Sequence, residues 1–137
     1  MASARLALLI ILTALAGSSR AQVATNHTDR IIDRLESAME AETADSLIAW
    51  TSDPVEIAIF GASRTYSRSQ GSYVLRQFFN DIGILSFRVT DHSHSERGLF
   101  VEGRLGTEGG EDLRLYFRFR EVGNSWRLME ILVERSS

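Results

Sequence analysis

Apolar and polar residues alternate along the second half of the chain. From residue 113 to residue 120 (LRLYFRFR) the odd-numbered positions are all apolar, and most even-numbered positions are arginine. A period of two predicts a β-strand that buries one face. Together with similar segments separated by glycine-containing turns, it predicts strands over residues 84–93, 99–107, 113–121 and 126–134. Consecutive strands joined by such turns indicate an antiparallel meander.

The first half of the chain has helical spacing instead. Thr28 is a suitable N-cap for a helix, and the apolar residues that follow recur at helical intervals with charged residues between them. These residues are Ile31, Ile32, Leu35 and Met39. A second short helix is predicted over residues 44–50, an extended run over 55–60 and a return strand over 64–66.

A capping box opens a further helix. Ser67 stands at the cap and Gln70 follows three residues later, which is the arrangement that satisfies free backbone groups at a helix start. Gly71 lowers helix propensity, so we expect another element to approach closely there. Gly83 is expected to end the helix. Helices followed by a sheet with one inserted helix predict an α+β domain.

The alternation also predicts which side of the sheet faces the helices. The odd-numbered residues are expected to face the core, and they comprise Leu85, Phe87, Val89, Leu99, Val101, Leu105, Met129, Ile131 and Val133. Matching apolar faces requires loops of odd length, and three-residue loops at 96–98, 109–111 and 123–125 meet this need. With these loops Val101 and Met129 would each oppose Phe119. Phe117 would oppose Ile131 and cover Gly103.

The same register predicts a charged row on the other face. It consists of His92, Glu102, Arg118 and Glu130, with opposite charges meeting at each step between carboxylate and arginine. We favour a solvated ladder of salt bridges over a binding site for this row. In a competing register, with a two-residue turn at 123–124, Glu130 would point inward against Phe117, and a buried carboxylate would be a stronger indication of function.

Apolar residues share this even-numbered face. They are Phe100, Tyr116, Trp126, Leu128 and Leu132. An exposed face with this much apolar area should be covered, and because the helices already cover the other face, a second protein chain is the natural cover. The N-terminal segment or the curvature of the sheet is the alternative.

The N-terminus has the layout of a secretory signal peptide. A short basic start is followed by 11 apolar residues (LALLIILTALA) and a small, polar stretch that ends at Ala21. The apolar run is shorter than the roughly 20 residues that span a bilayer. We therefore predict a signal peptide over residues 1–21, with cleavage after Ala16 as the alternative, and one exported domain, periplasmic or secreted, over 22–137.

Composition and motifs exclude several kinds of chemistry. The chain carries a net charge of −3, and cleavage after Ala21 would remove two arginines, so an acidic domain argues against nucleic acid or an anionic membrane as partner. The chain has no cysteine, and it has no phosphate loop or nucleophile motif. His92 and His94 would share a strand face, but zinc would need a third ligand, for which Glu102 is the obvious residue. We predict no catalytic residue, metal or cofactor.

From residue 55 onward the chain resembles a family of small exported bacterial proteins, a domain of unknown function in the nuclear-transport-factor-2-like (cystatin-like cone) superfamily. The resemblance is carried by 55–57 (VEI), 66–70 (YSRSQ), 74–79 (VLRQFF), Phe87, 103–107 (GRLGT), Tyr116 and 130–131 (EI). It implies a curved antiparallel sheet wrapped around helices and dimers formed through the sheet. Some members of the superfamily are isomerases or dehydratases and others only bind, so the resemblance supplies no catalytic residues.

Three functions follow from these observations. The leading hypothesis is a non-catalytic exported domain that binds a protein partner or a small apolar ligand. The first alternative is a proton-transfer enzyme of isomerase or dehydratase type, which needs a buried carboxylate such as Glu56 or Glu130 in the cone. The second is a structural accessory of an envelope complex.

Overall fold

The computed structural model describes residues 18–40 and 44–136. Most of the predicted signal peptide, residues 1–17, lies outside the described residues. The elements are α1 (Ser18–Glu40), α2 (Ala44–Ile48), β1 (Thr51–Ile59), β2 (Arg64–Tyr66), α3 (Arg68–Ile82), β3 (Ile84–Ser95), β4 (Gly98–Thr107), β5 (Asp112–Val122) and β6 (Ser125–Arg135). The predicted α+β class is confirmed. No described helix has the length and apolar character needed to cross a membrane.

The strands form one six-stranded sheet in the order β2-β1-β6-β5-β4-β3. The meander from β3 to β6 is antiparallel, as predicted. β1 joins it in parallel beside β6, with Ile57 opposite Ile131, and β2 folds back on β1. The helices pack against one face, which we call the inner face, and the opposite face is called the outer face.

The inner face and the helices enclose one apolar core. Its fully buried side chains include Leu35, Leu75, Leu115, Phe117, Phe119, Leu128 and Ile131. The rings of Trp50 and Phe119 lie 4.7 Å apart between their centroids. Two predicted core residues are wrong. Leu85 is 68% exposed, because the ladder with β4 is irregular between Ile84 and Ser86 and the alternation is broken there. Met129 has no partner in the ladder and is only partly buried, and Leu128 takes the position opposite Phe119.

The third helix begins and ends as predicted. The Ser67 side chain accepts a hydrogen bond from the backbone N–H of Gln70 at 3.3 Å, and Gly83 ends the helix with a φ of 60°. A Cβ atom on Gly71 would lie 2.6 Å from Val55 Cγ1. The close approach expected at Gly71 is therefore present, and it brings α3 against β1.

The predicted start of the first helix is wrong. α1 begins at Ser18 rather than after Thr28. Residues 18–27 are helical too, so the backbone N–H groups that follow Thr28 bond to carbonyls within the helix and need no capping side chain. Thr28 instead lies inside the helix, and its hydroxyl is within 2.5 Å of His94 Nε2 on β3. The Glu36 carboxylate accepts a hydrogen bond from the Val89 N–H at 3.1 Å, so α1 satisfies a donor on the edge strand of the sheet.

Two of the predicted three-residue loops are wrong in length, and the third, 109–111, is displaced, because Thr107 bonds to Glu111 across the turn. Ser95 pairs with Gly98 and Val122 pairs with Ser125, so the β3–β4 and β5–β6 turns each contain two residues. A turn of even length would reverse the faces of the following strand. Each hairpin corrects this with a β-bulge, one between Val89 and Asp91 and one at Met129, where the ladder shifts between Arg118 and Phe119.

The bulges have a local consequence. Between each bulge and its turn, the alternation of the bulged strand is reversed relative to the rest of that strand. Even-numbered residues there point to the inner face, and His94 and Trp126 are two of them. On the side of each bulge away from the turn, odd-numbered residues face inward, as predicted.

The β4–β5 hairpin has the predicted faces but a different alignment. Val101 pairs with Phe117 and Gly103 with Leu115, a shift of two residues from the prediction, so each residue keeps its face. The ring that covers Gly103 is that of Phe87, not Phe117: a Cβ on Gly103 would lie 2.5 Å from Phe87 Cε2 and Cζ.

Candidate functional site

The predicted pair of Arg118 and Glu130 is present on the outer face. The two residues are direct cross-strand partners, and Arg118 Nε donates to Glu130 Oε2 at 3.1 Å. Their side chains are 18% and 35% exposed. The bulge at Met129 turns Glu130 outward despite the two-residue turn, so the buried carboxylate of the competing register does not form. Such a pair contributes about 0.2–1 kcal/mol.

Glu102 lies on the outer face but does not pair with Arg118. Its cross-strand partner is Tyr116, a consequence of the shifted β4–β5 alignment. Its carboxylate lies 3.3 Å from Arg114 Nε, although that N–H is not aligned for a hydrogen bond. Arg114 donates to the Tyr116 hydroxyl at 3.4 Å. The hydrogen bond and charge interaction with Tyr116 raise the pKa of Arg114, and Glu102 and Glu134 add to the effect, so Arg114 stays charged.

The prediction for His92 is wrong. His92 pairs with Val101, and Asp91 takes the position beside Glu102. The cause is the bulge between Val89 and Asp91, which moves His92 out of the outer row. Among the described residues no group of three or more metal-binding side chains is found.

The predictions for Trp126 and Leu128 are also wrong. Leu128 is fully buried in the core and pairs with Phe119. Trp126 is partly buried against the same core, and its ring meets that of His94 edge to face, with centroids 6.2 Å apart. Both lie between the β5–β6 turn and the bulge at Met129, where the faces are reversed.

Tyr116 and Leu132 lie on the outer face as predicted. They are direct cross-strand partners, and both are partly buried within one chain. Leu132 in turn pairs with Ala58 on β1, and Phe100 pairs with Arg118 on the outer face. A short apolar strip thus crosses the sheet between charged rows.

An arginine row was not predicted. Arg88, Arg104 and Arg114 are direct partners on three adjacent strands. Beside this row, Asp91 and Glu102 form an acidic row. Arg88, Arg104, Asp91 and Glu102 line a shallow groove of about 810 Å³ on β3 and β4. The arginines are visible in the sequence, but only the true alignment brings them into one row.

The buried polar side chains are serine and threonine hydroxyls in the part of the chain that the structure describes. Among the described residues, the buried polar or charged side chains are Thr28, Thr51, Ser52, Ser72 and Thr107. Glu56 pairs with Glu130 across β1 and β6, so it belongs to the outer face and does not enter the core.

The helices packed on a curved six-stranded sheet, antiparallel except for the β1–β6 pair, define an NTF2-like, cystatin-like fold. An NTF2-like protein of unknown function from Shewanella baltica has a TM-score of 0.61 at 9% identity, covering 84% of this chain and 96% of its own. The predicted fold is confirmed.

Within this fold the chain belongs to the DUF4783 family, a domain of unknown function, whose model matches residues 32–134. The predicted family resemblance is confirmed. A DUF4783 protein from Bacteroides ovatus has a TM-score of 0.71 at 19% identity, covering 76% of this chain and 94% of its own. One from Bacteroides fragilis has a TM-score of 0.71 at 21% identity, covering 75% and 96%. None of the curated proteins matches this chain.

Proposed function

We propose that this protein is an exported, non-catalytic binding domain whose interface is the outer face of the sheet, and that the partner is a second copy of the chain. The observation that carries the proposal is the apolar strip of Tyr116 and Leu132, partly exposed in the single chain and bordered by charged rows. A partly exposed apolar strip, with the ion pairs Arg114–Glu102 and Arg118–Glu130 beside it, is suited to close packing against another protein.

The charges of the outer face support a second copy as the partner. In a two-fold dimer the same patch is used twice, so it must complement itself. A two-fold axis that runs across the strands, between the arginine row and the acidic row, would place Arg104 of one copy over Glu102 of the other. Arg88 and Asp91 would meet in the same way. The axis would also lay Arg114 of one copy on the Tyr116 ring at one end of the apolar strip of the other.

The filled interior favours binding over proton transfer. A proton-transfer site in the cone needs a carboxylate or imidazole in a dry pocket, and the buried polar groups of the described residues are hydroxyls. Glu56 and Glu130 pair with each other on the outer face. The described core residues form one continuous apolar cluster, and the proposal therefore rests on the outer face rather than on a small apolar ligand in the cone.

Export rests on the N-terminal sequence. The basic start, the apolar run and the small residues before Ala21 follow the signal-peptide pattern. Cleavage after Ala21 would leave α1 from residue 22 onward, including its described core residues Ile31, Leu35 and Met39. An exported domain would meet its second copy in the periplasm or outside the cell.

The test exchanges the charges of the proposed contact. Arg104→Glu and Glu102→Arg are made separately, in the chain expressed from its full sequence, and the self-association of each is measured by sedimentation equilibrium. Each variant alone places like charges together in the dimer, so its dimer dissociation constant should rise by about tenfold or more. Mixing the two variants pairs opposite charges again and should restore a dimer.

Arg76→Glu is the matched control. It makes the same charge change on α3, where Arg76 forms a surface ion pair with Asp45, and it should leave the dimer unchanged. If the mixture does not recover association that the single variants have lost, the two-fold contact is refuted. If a stable envelope protein rather than a second copy co-purifies in stoichiometric amount, the structural-accessory alternative replaces it.

A further inference from the structure

A second surface feature lies at the other side of the sheet, between α1 and the tip of the β5–β6 hairpin. It is a pocket of about 280 Å³ whose walls include His27, Arg30, Arg34, Trp50, Asn124 and Trp126. Its described lining contains cationic, polar and aromatic groups and no carboxylate. In a chain with a net charge of −3, this lining combines two arginines with two tryptophans.

The two arginines of the pocket carry charge that the described structure does not neutralise. Arg30 and Arg34 are one helical turn apart on α1, a spacing at which like charges repel each other. Within the described residues, neither has a carboxylate within 4.0 Å, since all ion pairs found there involve other arginines. The Arg34 guanidinium lies over the Trp50 ring, 4.4 Å from its centroid, so the aromatic ring holds it toward the pocket.

The bulged hairpins position Trp126, one of the two tryptophans of the aromatic wall. The bulge at Met129 turns Trp126 to the inner face, and the bulge between Val89 and Asp91 does the same for His94. The two rings then pack edge to face, and His94 contacts Thr28 on α1. Bulges that re-aim side chains are common beside functional sites, and here one bulge brings Trp126 to the pocket while the other places His94 against the Trp126 ring.

We propose that this pocket binds a small planar organic anion, of which an aromatic carboxylate is the simplest example. The carboxylate would accept charge-assisted hydrogen bonds from Arg30 and Arg34, and the planar body would lie against Trp126. The two arginines call for a negative charge in the ligand, and the tryptophans call for a planar body, so one molecule with both properties fits the pocket. The site is on the inner side of the sheet and does not depend on the proposed dimer.

The test uses benzoate as the probe, with benzamide as its uncharged equivalent and acetate as an anion without the ring. The chain has two tryptophans, and both border the pocket, so binding is followed by tryptophan fluorescence and by isothermal titration calorimetry. Benzoate should bind saturably and about tenfold more tightly than benzamide or acetate. Equal affinity for benzoate and benzamide, or no saturable response to benzoate, overturns the proposal.

Variants assign the binding to the pocket. Arg30→Gln should weaken benzoate binding by about tenfold, and Arg30→Lys should restore part of it. Arg97→Gln, in the exposed β3–β4 turn, is the matched control and should bind as the unmodified protein does. Thermal melts check that each variant is folded, and an unchanged affinity in folded Arg30→Gln contradicts the proposed site. Arg104→Glu should leave benzoate binding unchanged, which separates this site from the dimer contact.

Discussion

Gly103 illustrates how a single residue determines the packing of the inner face. It stands in the middle of β4, and a methyl group at its Cα would meet the Phe87 ring at 2.5 Å and the Arg88 carbonyl oxygen at 3.2 Å. Phe87 therefore lies flat over the glycine and reaches Phe117, with ring centroids 6.0 Å apart. The missing side chain lets an aromatic ring from the edge strand join the core.

Substituting this glycine should destabilise the protein. Gly103→Ala forces the Phe87 ring or the β3 backbone to move, so the free energy of unfolding should fall by about 1–3 kcal/mol. Urea unfolding followed by circular dichroism measures this change. Gly109→Ala, in an open turn where the nearest atom lies at 3.9 Å, is the matched control and should change stability by less than about 0.5 kcal/mol. Equal effects at the two positions would contradict the packing described.

At the level of elements, the two ends of α3 were predictable from the sequence, whereas the start of α1 and the details of the hairpins were not. The cap at Ser67 and the end at Gly83 depend on local chemistry that the sequence displays directly. The bulges depend on one additional residue in each strand, and the residues at these points, Thr90 and Met129 among them, have no distinctive side-chain chemistry. The turn at 123–125 can be read as two or three residues, so its length could not be chosen from the pattern.

The cap of α3 gives a prediction for one element. Ser67→Ala removes the acceptor for the Gln70 N–H and should lower the free energy of unfolding by about 1 kcal/mol. Ser69→Ala changes the same residue type in the first turn, where the hydroxyl serves no backbone group in the described structure, and should have a smaller effect. Thermal unfolding of both variants makes the comparison. A loss of stability that is as large for Ser69→Ala would show that the cap is not the cause.

At the level of the molecule, the period-two alternation was enough to predict the fold class and the orientation of most strand residues. It also predicted the Arg118–Glu130 pair. Residues 130–131 lie on the side of the β6 bulge away from the turn, so they and residues 117–118 of β5 keep the predicted faces. The arginine row and the inner pocket could not be predicted. Both require the alignment of β4 with its neighbours and the reversed faces at the hairpin tips, and neither is encoded by residue type alone.

The two faces of the sheet therefore have different chemistry. The inner face builds the core and, at its end, the cationic aromatic pocket. The outer face carries an apolar strip that continues the acidic row and lies beside the arginine row. The proposed dimer follows from the outer face as a whole, since no single pair of residues would hold two chains together.

Sedimentation equilibrium of the unmodified protein tests this central claim most directly. The account predicts a reversible equilibrium between one and two chains, with the dimer favoured as concentration rises and weakened by added salt, because charged rows meet across the contact. A protein that keeps the mass of one chain at every concentration and salt level would contradict it.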